Sequence, residues 1–527
     1  MAEKRRYPIG LQTFEDVVNQ NCVYVDKTEY VYKMASSPTQ NFFLSRPRRF
    51  GKSLLVSTMK AYFEGRKELF KGLAIEKLEK DWIAYPVIRL DLSQGKYYEL
   101  ERMYDTFNWL LNQYEKAYGL SQKKDWDFNN RLTSIIHAAY EQTSRKVVVL
   151  IDEYDAPMLD SINAPDLQEQ IRQRVRDLFS PLKAQSDYLH KVFLTGISKF
   201  SQLSIFSELN NLYDMTFKAE YEGICGITEE ELLTQMKPDI EWLSEASDCT
   251  YDEAVAELKR HYDGYHFCDK MTDIYNPWSL INAFEDGKID DYWFSTGTPT
   301  MLVNVLRKSK IDMPMLEGLV ADMGRFNAPT ERITDPVPVL FQSGYLTLKA
   351  YDKQRDRYTI GFPNEEVYRG FAKSLYKYYA NVEMDENIRS RMDKAYLDFK
   401  FGDTGVDDFL DAIRKWYSSI PYSITNRNQN EQLYQSLLYA LLVALGADVH
   451  AEQQTSDGRM DISLKMHDAI YILEFKYHKT QEDAIEQVKK KDYAVVFASD
   501  PRPVYVVPMN VDAEKRTIEK PQLERLK

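Results

Sequence analysis

The feature that most constrains the fold is an alternation of short apolar runs with long helix-compatible stretches in roughly the first 200 residues. Four runs are rich in β-branched and aromatic residues: Asn41–Ser45, Pro86–Leu92, Lys146–Ile151 and Lys191–Thr195. Runs that are apolar throughout indicate strands buried on both faces, and helices between such strands indicate parallel pairing. The sequence therefore predicts an α/β domain built on a parallel sheet, over residues 1–222.

Helix signals crowd together after about residue 220, which predicts a mostly helical lid or winged-helix-like second domain over 223–380. A small β element is expected at Val339–Leu348 and Tyr358–Phe362. The helix signals are the capping box Thr228-x-x-Glu231, the run Tyr251–His261, and the two N-cap–proline pairs Asn276-Pro277 and Thr298-Pro299.

A third domain is predicted over 381–527. Its pattern is a strongly apolar helix, two strands, a further helix and a last strand, which is a second α/β arrangement. These elements are expected at Glu431–Leu445, Met460–Leu464, Ile470–Lys476, Glu482–Lys491 and Ala494–Ala498.

Composition and charge limit the partners and the location that we expect for the protein. The formal net charge of -13 gives no global attraction to nucleic acid, so any such contact must be local. The 4 cysteines form no CxxC pair, and the N-terminus MAEKRRYPIG has no apolar segment after its charges. No apolar run has the length of a membrane span. We expect a cytoplasmic protein with no membrane association.

The stretch SRPRRFGKS follows a predicted strand and precedes a helix-compatible run, which is the setting of a phosphate-binding loop. In such a loop, N–H groups at the helix start face the phosphates, Lys52 reaches the β- and γ-phosphates, and Ser53 binds Mg²⁺. Arg46 stands where the motif has its first glycine, and arginine resists the dihedral angles that glycine allows. The alternative interpretation is a basic surface turn.

A second run, VVVLIDE, is a buried strand that ends in two acids. In nucleotide hydrolases an Asp at this point holds Mg²⁺ through water and a following Glu polarises the attacking water, which gives these roles to Asp152 and Glu153. Ser198 follows a third strand, where a γ-phosphate sensor would lie. The alternative interpretation of Asp152 and Glu153 is an acidic turn at the end of a strand, and the alternative for Ser198 is a simple strand-end cap.

Several motifs occur in one order: YPIGLQTF, YVDKTEYV, FFLSRPRRFGKSLL, VVVLIDEYDAP, FLTGISKF, FSELNNL, HYDGYHF, YNPWSL and FQSGYLTL. Over roughly residues 5 to 370 this series resembles the predicted AAA-ATPase-like proteins of bacteria, which are similar to archaeal-type and STAND ATPases. RPRRFGKS is the usual loop in that family, so the resemblance answers much of the objection at Arg46 and implies an ATP site. Arg48, Arg49 and Lys199 are candidates for an arginine finger. The implied ATP-binding residues are Arg48, Arg49, Phe50, Gly51, Lys52, Ser53, Leu54, Asp152 and Ser198, with Glu153 catalytic.

Near the C-terminus, the predicted strands GRMDISL and YILEFKY carry an Asp, a Glu and a Lys. Because side chains alternate along a strand, Glu474 and Lys476 share one face, Phe475 points to the other, and Asp461 is able to join the first face. Two carboxylates suit Mg²⁺, which stabilises charge on a scissile phosphate, while the lysine positions or activates a water. The alternative is a solvated strand face with an ordinary Glu–Lys pair.

This region, over roughly residues 385 to 500, resembles the PD-(D/E)XK nuclease superfamily, whose fold is a restriction-endonuclease-like α/β domain. Met460 replaces the proline of that motif. The resemblance implies that Asp461 and Glu474 bind the metal, that both act in catalysis with Lys476, and that Glu431 and Gln487 support them from flanking helices.

We therefore expect an ATP-binding protein in which a P-loop ATPase module controls a Mg²⁺-dependent DNA nuclease module. One alternative is a non-cleaving, ATP-dependent switch that binds nucleic acid or protein through a degenerate nuclease-like domain. The other is a scaffold of the STAND kind, in which ATP drives assembly into a homo-oligomer.

Overall fold

The chain forms two compact units in the computed structural model, residues 1–295 with 320–365 and residues 296–319 with 366–527. The predicted boundary at residue 222 lies inside the first unit, and the three-domain division remains a prediction. The structure describes residues 4–121, 127–199, 212–296, 313–328, 335–379, 386–420, 431–455, 458–477, 479–512, 515 and 517–527.

The first unit is an α/β unit with a helical portion after its main sheet. Its strands are β1 (Asn41–Ser45), β2 (Val87–Asp91), β3 (Val147–Asp152), β4 (Leu189–Gly196), β5 (Tyr213–Asp214), β6 (Ile227–Thr228), β7 (Ile274–Tyr275), β8 (Leu319–Ala321), β9 (Thr347–Asp352) and β10 (Arg357–Gly361). Its helices are α1 (Phe14–Asn19), α2 (Thr28–Ser36), α3 (Lys52–Phe63), α4 (Ala74–Leu78), α5 (Leu100–Ala117), α6 (Phe128–Thr143), α7 (Ala156–Asp160), α8 (Pro165–Phe179), α9 (Pro181–Ala184), α10 (Glu229–Gln235), α11 (Lys237–Ala246), α12 (Tyr251–Tyr262), α13 (Pro277–Asp286), α14 (Met323–Phe326) and α15 (Val337–Gln342).

The main sheet is parallel and runs in the order β2–β3–β4–β1–β5. All six residues of β3 are buried, as expected of a strand covered by helices on both faces. The predicted parallel α/β sheet is thus confirmed. Because parallel strands share one direction, Ser45, Asp152 and Gly196 end β1, β3 and β4 at the same edge of the sheet.

Local signals explain the helical portion well. Thr228 and Glu231 form the predicted capping box of α10. The β element expected at Val339–Leu348 is wrong in its first half, because that half belongs to the helix α15, which has Pro338 in its first turn, and β9 begins only at Thr347. The expected helix start at Thr298-Pro299 and most of the FSELNNL motif lie outside the described residues.

The second unit contains the other α/β arrangement. Its sheet runs β11–β12–β13–β14–β15, with β16 also paired to β14. The strands β13 and β14 are parallel, and the other neighbouring strands of this sheet are antiparallel. Its strands are β11 (Asp448–Thr455), β12 (Gly458–Lys465), β13 (Ile470–Tyr477), β14 (Val504–Asp512), β15 (Thr517–Ile518) and β16 (Glu524–Arg525). Its helices are α16 (Glu365–Tyr379), α17 (Glu386–Lys400), α18 (Val406–Ser419), α19 (Glu431–Ala444) and α20 (Gln481–Lys490).

The last predicted strand, Ala494–Ala498, is wrong. The segment is part of a 3-10 helix, Tyr493–Phe497, and the strand that pairs with β13 is β14. Asp492, with a φ of 43°, turns the chain between α20 and the 3-10 helix. Among the described residues, no helix is long and apolar enough to cross a membrane.

Candidate functional site

The loop between β1 and α3 carries the phosphate-loop motif. Gly51 has a φ of 88°, in the left-handed region that favours glycine, and α3 begins at the next residue, Lys52. The first N–H groups of α3 therefore lie at the carboxyl edge of the main sheet. A helix N-terminus in this position attracts an anion through its free N–H groups and its dipole.

Arg46 explains how the loop does without its first glycine. Its φ is not positive, so the backbone there needs no glycine. Its side chain is 1% exposed, and the guanidinium donates hydrogen bonds to the carbonyl oxygens of Thr216 (2.9 Å), Tyr221 (3.2 Å) and Glu222 (3.4 Å). The guanidinium also lies 4.1 Å from the ring centre of Phe267. Arg46 therefore fixes the phosphate loop to the segment of residues 216–222.

Lys52 lies inside the loop that it was predicted to serve. Its ammonium donates hydrogen bonds to the carbonyl oxygens of Arg46 (3.0 Å) and Pro47 (2.9 Å). Burial lowers the pKa of Lys52, and the nearby carboxylates after β3 oppose this shift, Glu153 most strongly. The structure thus brings the predicted lysine and the predicted acids into one electrostatic cluster.

Asp152 ends β3 as a buried carboxylate, only 1% exposed. Burial raises its pKa and the charge of Asp91 adds to the rise, whereas the hydroxyl of Ser53 and the guanidinium of Arg89 lower it. The guanidinium of Arg89 donates a hydrogen bond to Oδ2 (3.4 Å). The other oxygen, Oδ1, is buried and has no hydrogen-bond partner among the described residues. A buried carboxylate oxygen beside a serine hydroxyl fits a Mg²⁺ ion that keeps several water ligands.

Glu153 follows directly and has a φ of 48°, in the left-handed region that non-glycine residues rarely adopt. Burial raises the pKa of its carboxyl, and the ammonium of Lys52 opposes this rise. A carboxylate whose pKa is raised is better suited to accept a proton from water.

Ser198 and Lys199 are both engaged within their own unit. The hydroxyl of Ser198 donates to Oδ2 of Asp155 (2.8 Å), and the ammonium of Lys199 lies 2.6 Å from Asp214. Lys199 is only 1% exposed, and its role as an arginine finger stays a prediction. Asp155 was missed in the sequence, although the third acid in IDEYD was a signal for it.

The remaining loop residues have distinct surroundings. Arg48 is exposed, whereas the guanidinium of Arg49 lies 4.0 Å from the ring centre of Trp278. Phe50 is buried, with its ring 4.7 Å from that of Tyr265. Of these three, Arg48 is therefore the side chain that solvent and ligands reach most readily.

An apolar pocket opens beside the start of α3. Its volume is about 600 Å³, with its open mouth included. Apart from Lys27, the residues of its wall are apolar, glycine, tyrosine or cysteine, and they include the predicted residues Phe50, Gly51 and Leu54. The other walls come from Pro8, Val23, Tyr24, Val25, Leu55, Ile224, Cys225, Gly226, Ile227, Met236, Pro277 and Ile281. Pockets that hold small molecules are lined mostly by apolar side chains of this kind.

The second unit gathers the other predicted residues around β12, β13 and α20. Oδ2 of Asp461 accepts a hydrogen bond from the backbone N–H of Phe475 (2.8 Å). This bond holds the carboxylate of Asp461 close to Glu474, the residue that precedes Phe475. Oε1 of Glu474 accepts hydrogen bonds from the ammonium of Lys476 (2.9 Å) and from the side-chain amide of Gln487. Four of the five predicted polar side chains therefore meet on one face of the sheet.

Glu474 is fully buried. Burial and the charge of Asp461 raise its pKa, and the ammonium of Lys476 opposes the rise. Oε2 of Glu474 is buried and accepts no hydrogen bond among the described residues. Glu431 lies at the edge of the cluster, 4.0 Å from Lys476.

These groups also fit Mg²⁺. In the described part of the chain, no three His, Cys, Asp or Glu side chains form a complete metal cage. Two carboxylates are nevertheless sufficient for an ion that is otherwise coordinated by water and substrate oxygens. The sequence reasoning missed Tyr493, whose hydroxyl interacts with Gln487, because no spacing in the sequence marked it.

The first unit is therefore an ATPase-like module with a phosphate loop, and the second contains a nuclease-superfamily module. A family model described as predicted AAA-ATPase matches residues 8–206, and a PD-(D/E)XK nuclease superfamily model matches residues 429–521. The uncharacterized protein in the vnfD 5′ region of Azotobacter chroococcum mcd 1 is 30% identical over 98% of each chain. The chain belongs to this family of AAA-ATPase-like proteins with a C-terminal PD-(D/E)XK domain.

Proposed function

We propose that the chain binds ATP with Mg²⁺ in its first unit, hydrolyses it, and uses this cycle to control Mg²⁺-dependent cleavage of DNA in its second unit. One observation supports both metal sites. At each predicted site a buried carboxylate has one oxygen without a hydrogen bond among the described residues, Oδ1 of Asp152 and Oε2 of Glu474. Buried acceptors are rarely left unsatisfied, so each oxygen is suited to a cation.

In the nucleotide site, the chain supplies a separate group for each task. The N–H groups at the start of α3 bind phosphate oxygens, and Lys52 exchanges its loop carbonyls for the β- and γ-phosphates. Glu153 accepts a proton from the attacking water, and the apolar pocket beside α3 holds the base. Bound Mg²⁺ supplies charge neutralisation at the phosphates.

In the nuclease site, Asp461 and Glu474 hold the cation and Lys476 orients the water that attacks the phosphodiester. Bound Mg²⁺ supplies the lowered pKa of that water and stabilises charge on the scissile phosphate. Gln487 keeps Glu474 in place through its amide. Because the net charge of the chain is -13, contacts with DNA are local, and binding weakens as salt rises.

The test compares four variants with the parent full-length chain. Lys52→Ala removes the phosphate-binding ammonium, and Lys60→Ala on the same helix is its matched control. Asp461→Ala removes a metal ligand, and Asp468→Ala, at an exposed position of the β12–β13 hairpin, is its control. The measurements are binding of a fluorescent ATP analogue, phosphate release, and nicking of plasmid DNA with Mg²⁺ or Mn²⁺.

We expect Lys52→Ala to lose ATP binding and the effect of ATP on cleavage, and Asp461→Ala to lose cleavage while it retains ATP binding. Equal nicking by the parent and Asp461→Ala would refute the nuclease assignment. Tight DNA binding by the parent without nicking in either metal would support the non-cleaving switch instead. Light scattering that rises with ATP in the absence of DNA would support the assembly scaffold.

A further inference from the structure

The turn that follows β3 is fastened to the end of β4 by hydrogen bonds from two consecutive residues. The backbone N–H of Tyr154 donates to the carbonyl of Thr195 (3.1 Å), and its hydroxyl donates to the carbonyl of Ser198 (2.7 Å). Oδ2 of Asp155 accepts three more bonds, from the N–H groups of Ile197 (3.0 Å) and Ser198 (2.7 Å) and from the hydroxyl of Ser198 (2.8 Å). Asp155 thus gathers three donors from the two residues after this strand onto one oxygen.

The fold keeps space for this carboxylate. Asp155 is fully buried, and a Cβ atom at Gly196 would lie 2.4 Å from its Oδ1. The dihedral angle φ of Gly196 is not in the left-handed region, so glycine is needed there for close approach alone. An alanine at this position would push the carboxylate off the end of β4.

Glu153 is held between two fixed neighbours. Asp152 is the last residue of β3, and the two residues after Glu153 are bonded to β4 and to the residues that directly follow it. A non-glycine residue at a φ of 48° is strained, and it persists only where its surroundings impose it. Glu153 and Asp155 are also the first two of the carboxylates that act on Lys52.

We infer that Asp155 is a positioning residue for nucleotide hydrolysis, because its carboxylate fixes the turn that aims Glu153 and the strand end that carries Ser198. This inference rests on the proposed ATPase activity of the same site. Asp155 itself touches neither nucleotide nor water in this role. It acts by holding two neighbouring groups in the geometry that the reaction requires, and a shift of about 1 Å in such a group costs up to 100-fold in rate.

The test is Asp155→Asn, which keeps the shape of the side chain but weakens the acceptor that gathers the three donors. Asp160→Asn, at an exposed position five residues along, is the matched control. Thermal unfolding establishes that each variant is folded. We expect the dissociation constant for a fluorescent ATP analogue to stay within about twofold, while single-turnover hydrolysis slows by about tenfold or more.

A second comparison separates positioning from general stability. If Asp155 acts through Glu153, Asp155→Asn should cost little further rate once Glu153→Gln is present, because the group that it aims is already gone. An unchanged rate in Asp155→Asn overturns the inference, and so does a full, additive loss in the double variant. A parent chain that neither binds nor hydrolyses ATP would instead refute the proposed function.

Discussion

Restoring glycine at position 46 should harm the protein, although glycine is the residue that the phosphate-loop motif prescribes. Arg46→Gly removes the hydrogen bonds that the buried guanidinium donates to three distant carbonyls, those of Thr216, Tyr221 and Glu222, as well as a local bond to the carbonyl of Ser45. Bonds from a charged donor contribute about 1.5–3 kcal/mol each, or about 4.5–9 kcal/mol for the three long-range bonds. Burial lowers the pKa of Arg46 to about 10, which corresponds to a cost of about 3 kcal/mol. The net loss of stability from the long-range bonds is therefore about 1.5–6 kcal/mol.

Urea unfolding followed by far-UV circular dichroism measures this loss as a lower midpoint for the first unit. Arg48→Gly is the matched control, because it makes the same change in the same loop at an exposed position. The control should change the free energy of unfolding by less than about 1 kcal/mol. If the two variants unfold at the same urea concentration, the anchoring role of Arg46 is refuted.

Two further predictions concern stability. Burial raises the pKa of Asp263 to about 6, so above that pH the native state holds a buried, ionised carboxylate. Asp263→Asn should therefore stabilise the chain at pH 8 by about 1–2 kcal/mol more than at pH 5, in urea titrations at the two pH values; equal effects would contradict it. A Cβ at Gly264 would lie 2.2 Å from the carbonyl oxygen of Pro363, so Gly264→Ala should lower the melting temperature well beyond Gly119→Ala, which has the same sign of φ and open space.

The sequence predicted β1 to β4 of the main sheet well because each of these strands is a largely apolar run, whereas the two-residue β5 has no such pattern and was not predicted. It failed at β14, where Pro508 interrupts the run Val504–Asp512 and made the segment look unlike a central strand. The more apolar Ala494–Ala498 was preferred, although it follows α20 too closely to cross back over the sheet. Local pattern gives the identity of an element, whereas its neighbours decide which of two apolar runs enters the sheet.

The candidate sites divide in the same way. Asp152 and Lys52 lie close together because the carboxyl ends of the parallel strands β1 and β3 share one edge of the sheet. This proximity was predictable from the sequence, because Asp152 lies at the end of one predicted strand and Lys52 lies in the loop motif that follows another. The function of Arg46 was not predictable, because its acceptors at Thr216 and Tyr221 lie 170 and 175 residues away along the chain. Contacts of that range depend on tertiary packing, which a motif does not contain.

Both candidate sites hold a lysine whose ammonium already binds oxygen atoms of its own chain. Lys52 donates to the carbonyls of Arg46 and Pro47, and Lys476 donates to Glu474 and to the carbonyl of Phe475. A ligand at either site therefore exchanges these hydrogen bonds instead of adding to them. Both acceptors of Lys52 are neutral carbonyls, so exchanging them for another neutral acceptor gains little, whereas a phosphate oxygen gains the Coulomb attraction of two opposite charges at low dielectric. The arrangement at Lys52 thus favours a densely charged ligand, such as a triphosphate, over a neutral ligand of the same shape, whereas Lys476 is already paired with the carboxylate of Glu474.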